Sequence, residues 1–427
     1  MARDCLTFLR GAYLRSFSGS RIYYSWMIAL AVLSWIGAYT FMRQFAEGLS
    51  VTSMSDQVPW GVYNANLTYL VGLAVSAVLL VIPVYIYRKK HMADVALLAG
   101  LLAVAAIVMS LLFVVVDVGH PARLWHVIPF VGTPNFPSSM LAWDLVVLVG
   151  YLVVNVYICG YLLYMRYLGR RANFMLYGPF MAVSVAWAIS IHLVTVFLYA
   201  GLVGRPFWNA GIVAPRFLGS AFTAGPSILI ISFLIIRRCF RYDISQRAID
   251  TLRYIVTASL LLNLFLLACE AFKEIYAAPG HSSSTRYLFF GLVHLGQYYA
   301  TLVPWIWVAI GMQLVAAAIL SILPLARRAE FLSVACILSV IGVWIEKGMG
   351  MVVAGFIPSP QGSVIEYSPS WTETLVSMGI WAFGLLLFSW MAHVAVPILT
   401  GELTAHPLQK PQPSAPAGET TEATVAV

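Results

Sequence analysis

Residues 117–144, DVGHPARLWHVIPFVGTPNFPSSMLAWD, place two acids (Asp117 and Asp144), Arg123, two histidines (His120 and His126) and four prolines between two long apolar runs. A linker between apolar helices needs none of these groups. Carboxylates and imidazoles donate and accept protons near neutral pH, and ionisable groups in a membrane are costly unless used. The bland alternative is a loop whose charges sit among lipid headgroups. Other candidates follow downstream. His192 lies about eight residues inside its apolar run, or ~12 Å deep at ~1.5 Å per residue. Arg205 and Arg216 flank a turn shaped by Pro206 and Pro215. Glu270, the neighbours Glu346 and Lys347, and Glu373 complete the set. Each has a structural reading too. A membrane histidine can simply bond to a carbonyl, arginines can snorkel to headgroups, and Glu346 and Lys347 can form an ion pair with each other.

The elements that position these groups are apolar helices. The chain of 427 residues is 61% hydrophobic and 10% charged, with a mean hydropathy of +0.86, outside the range of soluble globular proteins. A bilayer core needs roughly 20 apolar residues per helix. Ten such runs can be drawn, at 22–42, 62–87, 94–116, 141–165, 177–200, 217–236, 252–272, 302–323, 331–357 and 373–399. They do not alternate in polarity, which excludes a barrel. The fold class is therefore all-α integral membrane with about ten transmembrane helices. Pro137, Ser138 and Ser139 mark a helix start, which puts Asp144 in the first turns of the fourth run. Residues 287–323 are too long for one span, so an interfacial helix is expected before the eighth.

Charge sets the orientation. With the N-terminus inside, 18 of the 25 Lys and Arg fall on the inner side, including Arg88, Lys89, Lys90 and Lys410, and seven on the outer. The positive-inside rule then places both termini in the cytoplasm, in the inner membrane. The net charge of +8 reflects this bias; no nucleic-acid motif is present. The N-terminal run is long for a cleaved signal, and Cys5 precedes it outside any lipobox context. The organisation is a cytoplasmic segment 1–21, a polytopic membrane domain 22–400 and a disordered cytoplasmic tail 401–427, rich in Pro, Ala, Thr and Ser. The five cysteines form no CxxC pair, so no iron–sulfur or zinc site is encoded, and no metal site is expected.

The polar groups are unevenly spread. Asp117, His120, Arg123, His126, Asp144, His192, Arg205, Arg216, Glu270, Glu346, Lys347 and Glu373 all map to the outer third. The inner half offers Asn155, Asn263, Gln313 and His393. One polar pocket near the outer face is expected, roofed by loops and walled by apolar helices. Asn64 and Asn66 can face it, while Trp60 and Tyr63 suit an interfacial aromatic belt. A quinone needs such a place: an apolar channel for its tail, with hydrogen-bond donors and a proton acceptor at its head. Because the inner half is so bare, its protons are expected to exchange with the outer side.

Three motifs in order, VDVGHPARLWHVIP, SSMLAWD and IHLVTVFLYAGLVGRPFWNAGIVAPRFLGSAFTAGPSIL, resemble the NrfD/PsrC family of quinone-handling membrane subunits. The likeness runs from about residue 50 to 400. The ten-helix form is similar to the DsrP, Hme-type and Qrc-type subunits and to the membrane subunits of alternative complex III. The resemblance implies a menaquinone or ubiquinone site near the outer face, no haem or iron–sulfur cluster in this chain, and a docked iron–sulfur partner subunit. Multihaem cytochrome or molybdoenzyme subunits are further candidate partners, in a complex of anaerobic respiration or sulfur metabolism. Family members typically read DLGRPxRFWH. Here Val118, His120 and Leu124 depart from it, while Asp117, Arg123, Trp125 and His126 match. Asp144 matches the WD motif, and His192 and Arg216 match the third.

Asp144 and His126 are accordingly the first candidates for quinone contact and proton exchange. Asp117 and His192 come next, with Arg123 and Arg216 setting the electrostatics. A secondary transporter is a competing reading, supported by ten spans with Glu346 and Lys347 inside one. It is opposed by the lack of an internal repeat and by polar groups gathered at one face, since transporters bind near the midplane. A haem-binding membrane anchor needs facing histidines, and His192 and His393 lie at different depths. A reduced-minus-oxidised visible spectrum of the chain alone separates haem from quinone: the expected trace has no haem band, and a band overturns the quinone reading.

Overall fold

The structure, a computed structural model, describes residues 2–76, 93–128, 131–240, 242, 244–277 and 282–405. Its helices are α1 (Ala2–Ser16), α2 (Arg21–Glu47), α3 (Val62–Ser76), α4 (Ala93–Asp117), α5 (Met140–Tyr167), α6 (Phe174–Ala200) and α7 (Val213–Phe240). There follow α8 (Gln246–Ala277), α9 (Ser283–Phe290), α10 (Val303–Ser321), α11 (Ala329–Val343) and α12 (Trp371–Thr400). Nine helices among the described residues are long and apolar enough to cross a bilayer. The chain is an all-α, multi-pass integral membrane protein. The expected run at 62–87 enters the described structure as α3; its remainder lies outside the described residues. So do Arg88, Lys89, Lys90, Lys410 and the tail from residue 406.

The segment before α10 holds a helix, as expected, and an addition. A short helix, α9, is present, but a hairpin follows it. Strands β1 (Leu292–His294) and β2 (Gln297–Tyr299) pair antiparallel, with His294 opposite Gln297. The two turn residues, Leu295 and Gly296, have φ of 49° and 80°. A two-residue hairpin turn demands positive φ at both central positions, which Gly296 adopts without steric cost.

The bundle is built around α3, every residue of which is buried. A helix buried on all sides must satisfy its polar side chains internally. Asn66 donates to Val62 O at 2.8 Å and accepts from the indoles of Trp344 and Trp381, both at 2.9 Å. The Tyr63 hydroxyl donates to Gln44 Oε1 at 2.7 Å, and Gln44 donates to Val116 O at 2.7 Å, which joins α2, α3 and α4. Asn64 and Asn66 therefore face inward. Tyr63, expected in an aromatic belt, is fully buried. The helix α3 packs against α4 and α7, and α12 covers α4.

The ninth apolar run changes helix type midway. After Val343 the chain takes a π-helical course over Trp344–Gly350, then returns to α over Met351–Ala354. All of residues 345–350 are buried. Opposite, α2 lies along α12 at the edge of the bundle, with few buried residues: Leu30, Gly37 and Gln44. Gly37 faces Gly379, and a Cβ built on either would stand 2.6 Å from the other's Cα. The Gly379→Leu variant should lower thermal stability in detergent by roughly 1–3 kcal/mol through overpacking. Gly160→Ala, at a site where an added Cβ meets nothing within 4 Å, should leave it unchanged or slightly raised. Equal stability of the two variants in a melting assay would show that α2 does not depend on this crossing.

Candidate functional site

Ser139 caps α5, its hydroxyl accepting from Ala142 N at 3.3 Å. That start aims Asp144 into the bundle, where it is only 1% exposed. Its Oδ1 accepts from the Thr195 hydroxyl of α6 at 3.0 Å, while its Oδ2 has no hydrogen-bond partner. His192, Thr195 and Tyr199 recur at helical spacing and share one face of α6. The Tyr199 hydroxyl donates to Asn64 Oδ1 at 2.5 Å and lies 2.5 Å from the Thr68 hydroxyl, both on α3. Trp60 and Trp208 meet the Tyr199 ring edge to face, each at 5.4 Å. The result is a polar seam between α3, α5 and α6 with apolar surroundings.

Beside the seam is a small cavity bordered by Thr68, Gly72, His192, Phe217, Ser220 and Lys347, with about 10 Å³ of room for water centres. That suffices for roughly one water molecule. His192 Nε2 and Lys347 Nζ are buried here without hydrogen-bond partners. The Phe217 ring stands between their elements, edge-on to His192 at 5.8 Å and under Lys347 Nζ at 4.8 Å. Such a cation–π contact offsets part of the desolvation of the ammonium group.

A second polar cluster adjoins it. Arg216 of α7 pairs with Glu270 of α8 and, at 2.6 Å, with Glu346 of the π-helical turn. The other Glu346 oxygen accepts from Asn263 at 2.8 Å and Gln313 at 2.9 Å, and Asn263 also donates to Gln313 at 3.0 Å. Two of the alternative readings fail here. Arg216 does not snorkel to a headgroup; it is buried in an ion-pair network. Glu346 makes no close ion pair with Lys347, because adjacent residues of the turn point apart and each faces a different cluster. Asn263 and Gln313, counted with the inner half, belong to the same network as Glu270, which sits roughly two turns along α8.

Asp117 ends α4 with its Oδ1 buried and unpartnered. Glu373 caps α12 in a capping box with Ser370 and receives the hydroxyl of Tyr367 at 2.5 Å. Arg123 and His126 sit on the 3-10 turn Pro121–Val127, and both are exposed. His126 stacks on its neighbour Trp125 at 3.7 Å. The structure thus brings together Asp144, His192 and the cluster of Arg216. It does not bring Arg123 or His126 to Asp144, because the 3-10 turn presents their side chains outward over the end of the bundle. Thr195, Tyr199 and Thr68 were missed as members. The signal for the first two was present, since IHLVTVFLY carries His, Thr and Tyr at i, i+3 and i+7. Among the described residues no group of three or more His, Cys, Asp and Glu is arranged to hold a metal ion.

Residues 50–356 match the family model described as polysulphide reductase, NrfD, and the chain belongs to that family. It is similar to the Hdr-like menaquinol oxidoreductase integral membrane subunit of Archaeoglobus fulgidus, 23% identical over 61% of this chain and 63% of that protein. The matched part is therefore under two thirds of that relative's length. A protein of Halobacterium salinarum, provisionally named as a membrane subunit of dimethyl sulfoxide reductase, is 24% identical over 85% of this chain and 88% of its own. A selenate reductase subunit of Mesobacillus selenatarsenatis is 21% identical over 90% of this chain and 96% of its own.

The two buried cations at this site, Arg216 and Lys347, should respond oppositely to removal. Arg216→Met leaves Glu270 and Glu346 as uncompensated buried carboxylates, and breaking such a pair costs roughly 3–5 kcal/mol. Lys347→Met removes a buried ammonium that has no hydrogen-bond partner, and should leave stability unchanged or raise it. Thermal unfolding of both variants in detergent checks this; similar losses in the two would mean that Lys347 also carries a structural ion pair.

Proposed function

We propose that this NrfD-family chain is the quinone-reactive membrane subunit of a respiratory oxidoreductase complex. It oxidises or reduces a quinone and exchanges the electrons with a partner that carries iron–sulfur clusters. The observation that carries this reading is Asp144: a buried carboxylate with one oxygen fixed by Thr195 and the other open, while Thr195 lies one helical turn from His192 and its open Nε2. Converting a quinone to a quinol takes two electrons and two protons. A fixed carboxylate and an imidazole are suited to giving and receiving those protons at the ring oxygens. The name of one relative, a menaquinol oxidoreductase subunit, favours menaquinone over ubiquinone.

The water-sized cavity beside His192 does not admit a quinone ring as it stands. Binding therefore requires side chains of α5 and α6 to part. Leu141 of α5 and Leu193 and Phe197 of α6 are exposed on the apolar surface of these helices, where an isoprenoid tail meets lipid. In this proposal Asp144 and His192 hold the exchanging protons and Arg216 tunes the local field. Arg123 and His126, exposed above the site, face the side on which the partner docks.

The excess of Lys and Arg on one side supports a reading with both termini in the cytoplasm and the chain in the inner membrane. Protons exchange with the opposite, outer side. The remaining polar groups toward the arginine-rich side support this, because they are engaged locally. Asn155 donates to Tyr151 O at 2.8 Å, and the His393 ring bonds to Ser18 O at 2.7 Å. The hydroxyls of Thr223 and Ser227 each bond to a carbonyl of their own helix.

Asp144→Asn preserves size and the bond from Thr195 but removes the titrating proton. The complex should still assemble, and quinone-linked turnover should fall by about a hundredfold or more, the usual scale for losing a general acid–base group. Turnover measured at saturating quinone decides the matter; an unchanged rate means that this carboxylate does not handle the protons.

A further inference from the structure

At the end of the bundle opposite the site, three arginines converge on one groove. Arg166 lies in the last turn of α5, and Arg170 and Arg171 lie in the short link to α6. Gly169, with φ of 66°, ends α5 in the left-handed conformation, and so turns the link toward α12. The facing wall is the end of α12, where the Leu399 carbonyl accepts from Arg166 Nη2 at 3.4 Å. The groove between these elements has a volume of about 560 Å³. Its deeper lining is apolar, with Leu97, Leu162 and Ile398, and no described lining residue is acidic. The ion pairs found among the described residues involve none of the three arginines.

The aromatic side chains place this groove at the boundary between lipid and water. Tyr157 and Tyr161 of α5 stack at 6.1 Å, and Tyr161 meets Tyr177 of α6 at 6.1 Å. The Tyr161 hydroxyl accepts from Asn173 N at 3.1 Å, at the cap of α6. Tyrosines gathered in this way mark the headgroup level of a membrane. The positive-inside bias accounts for arginines on this side, but not for three of them bordering one apolar-floored space whose described lining holds no acid. The volume is far larger than a single ion needs and lies in the range of small-molecule sites, ~300–1,000 Å³.

We infer that this groove binds the headgroup of an anionic phospholipid. Guanidinium groups bind phosphate oxygens through paired hydrogen bonds, so Arg166, Arg170 and Arg171 hold the phosphate. The acyl chains run along Leu162 and Ile398 into the bilayer. This assignment is independent of the quinone reading.

The test uses the full-length chain in lipid discs of phosphatidylcholine, with or without phosphatidylglycerol. Phosphatidylglycerol should raise the melting temperature and be retained through delipidation, as read by native mass spectrometry. R166Q/R170Q/R171Q should lose that preference, by about fivefold in lipid affinity per arginine. R327Q/R328Q, which removes two exposed arginines of the same side outside the groove, should keep it. Equal losses in the two variants would reduce the effect to diffuse surface charge and overturn the site. So would an equal rise in melting temperature from inorganic phosphate in phosphatidylcholine discs, which marks a free-anion site instead. If the triple variant does not fold, the unaltered chain still decides: equal retention of phosphatidylglycerol and phosphatidylcholine overturns the proposal.

Discussion

The guanidinium of Arg216, gripped by Glu270 and Glu346, is the interaction on which the interior depends. It ties α7, α8 and the π-helical turn together where no water can screen an unpaired charge. A buried ion pair is tolerable only when its remaining lone pairs are also satisfied, and Asn263 and Gln313 do this for Glu346. Four elements are thereby held in one rotational setting. Phe217, the neighbour of Arg216, is then directed at His192 and Lys347 rather than at lipid.

The π-helical stretch divides the labour of two adjacent residues. Glu346 completes a network with its hydrogen bonds made, while Lys347 looks into the cavity with its ammonium free of hydrogen bonds. Satisfied polar networks stiffen a membrane protein. Open buried polar atoms are costly, and they persist where chemistry or binding uses them. Three open atoms, Asp144 Oδ2, His192 Nε2 and Lys347 Nζ, line one region between α3, α5, α6 and α7. The ion-pair network beside it, in which Glu346 is fully bonded while Arg216 Nε and Asn263 Oδ1 lack partners, serves as the frame. The two ends of the bundle are equally distinct. One holds the acids and the histidine seam, and the other presents arginines and tyrosines to the headgroup layer.

Much of this was legible without coordinates. Apolar runs of about 20 residues become helices because a backbone in lipid must satisfy its own hydrogen bonds. Ser139 announces the start of α5, and three ordered motifs announce the family that the comparison with known proteins then showed. The depths of Asp144 and His192 within apolar helices were legible as well. Depth along each helix can be counted from sequence at a fixed rise per residue.

What depth does not supply is azimuth and neighbour. Glu346 and Lys347 read as partners because they are adjacent, yet adjacency in a helix points side chains apart. Asn263 and Gln313 read as inner residues because they lie farther along their helices. Only the packing of α8 and α10 around the π-helical turn carries Glu346 to them. His126 read as part of the site because it lies in the most polar stretch of the chain, but the 3-10 turn over the end of the bundle faces it outward. The sequence alone determined which segments cross the membrane and which residues could do chemistry. The tertiary structure decided which of those residues meet, because helix rotation is set by contacts between segments more than 100 residues apart, such as Arg216 with Glu346.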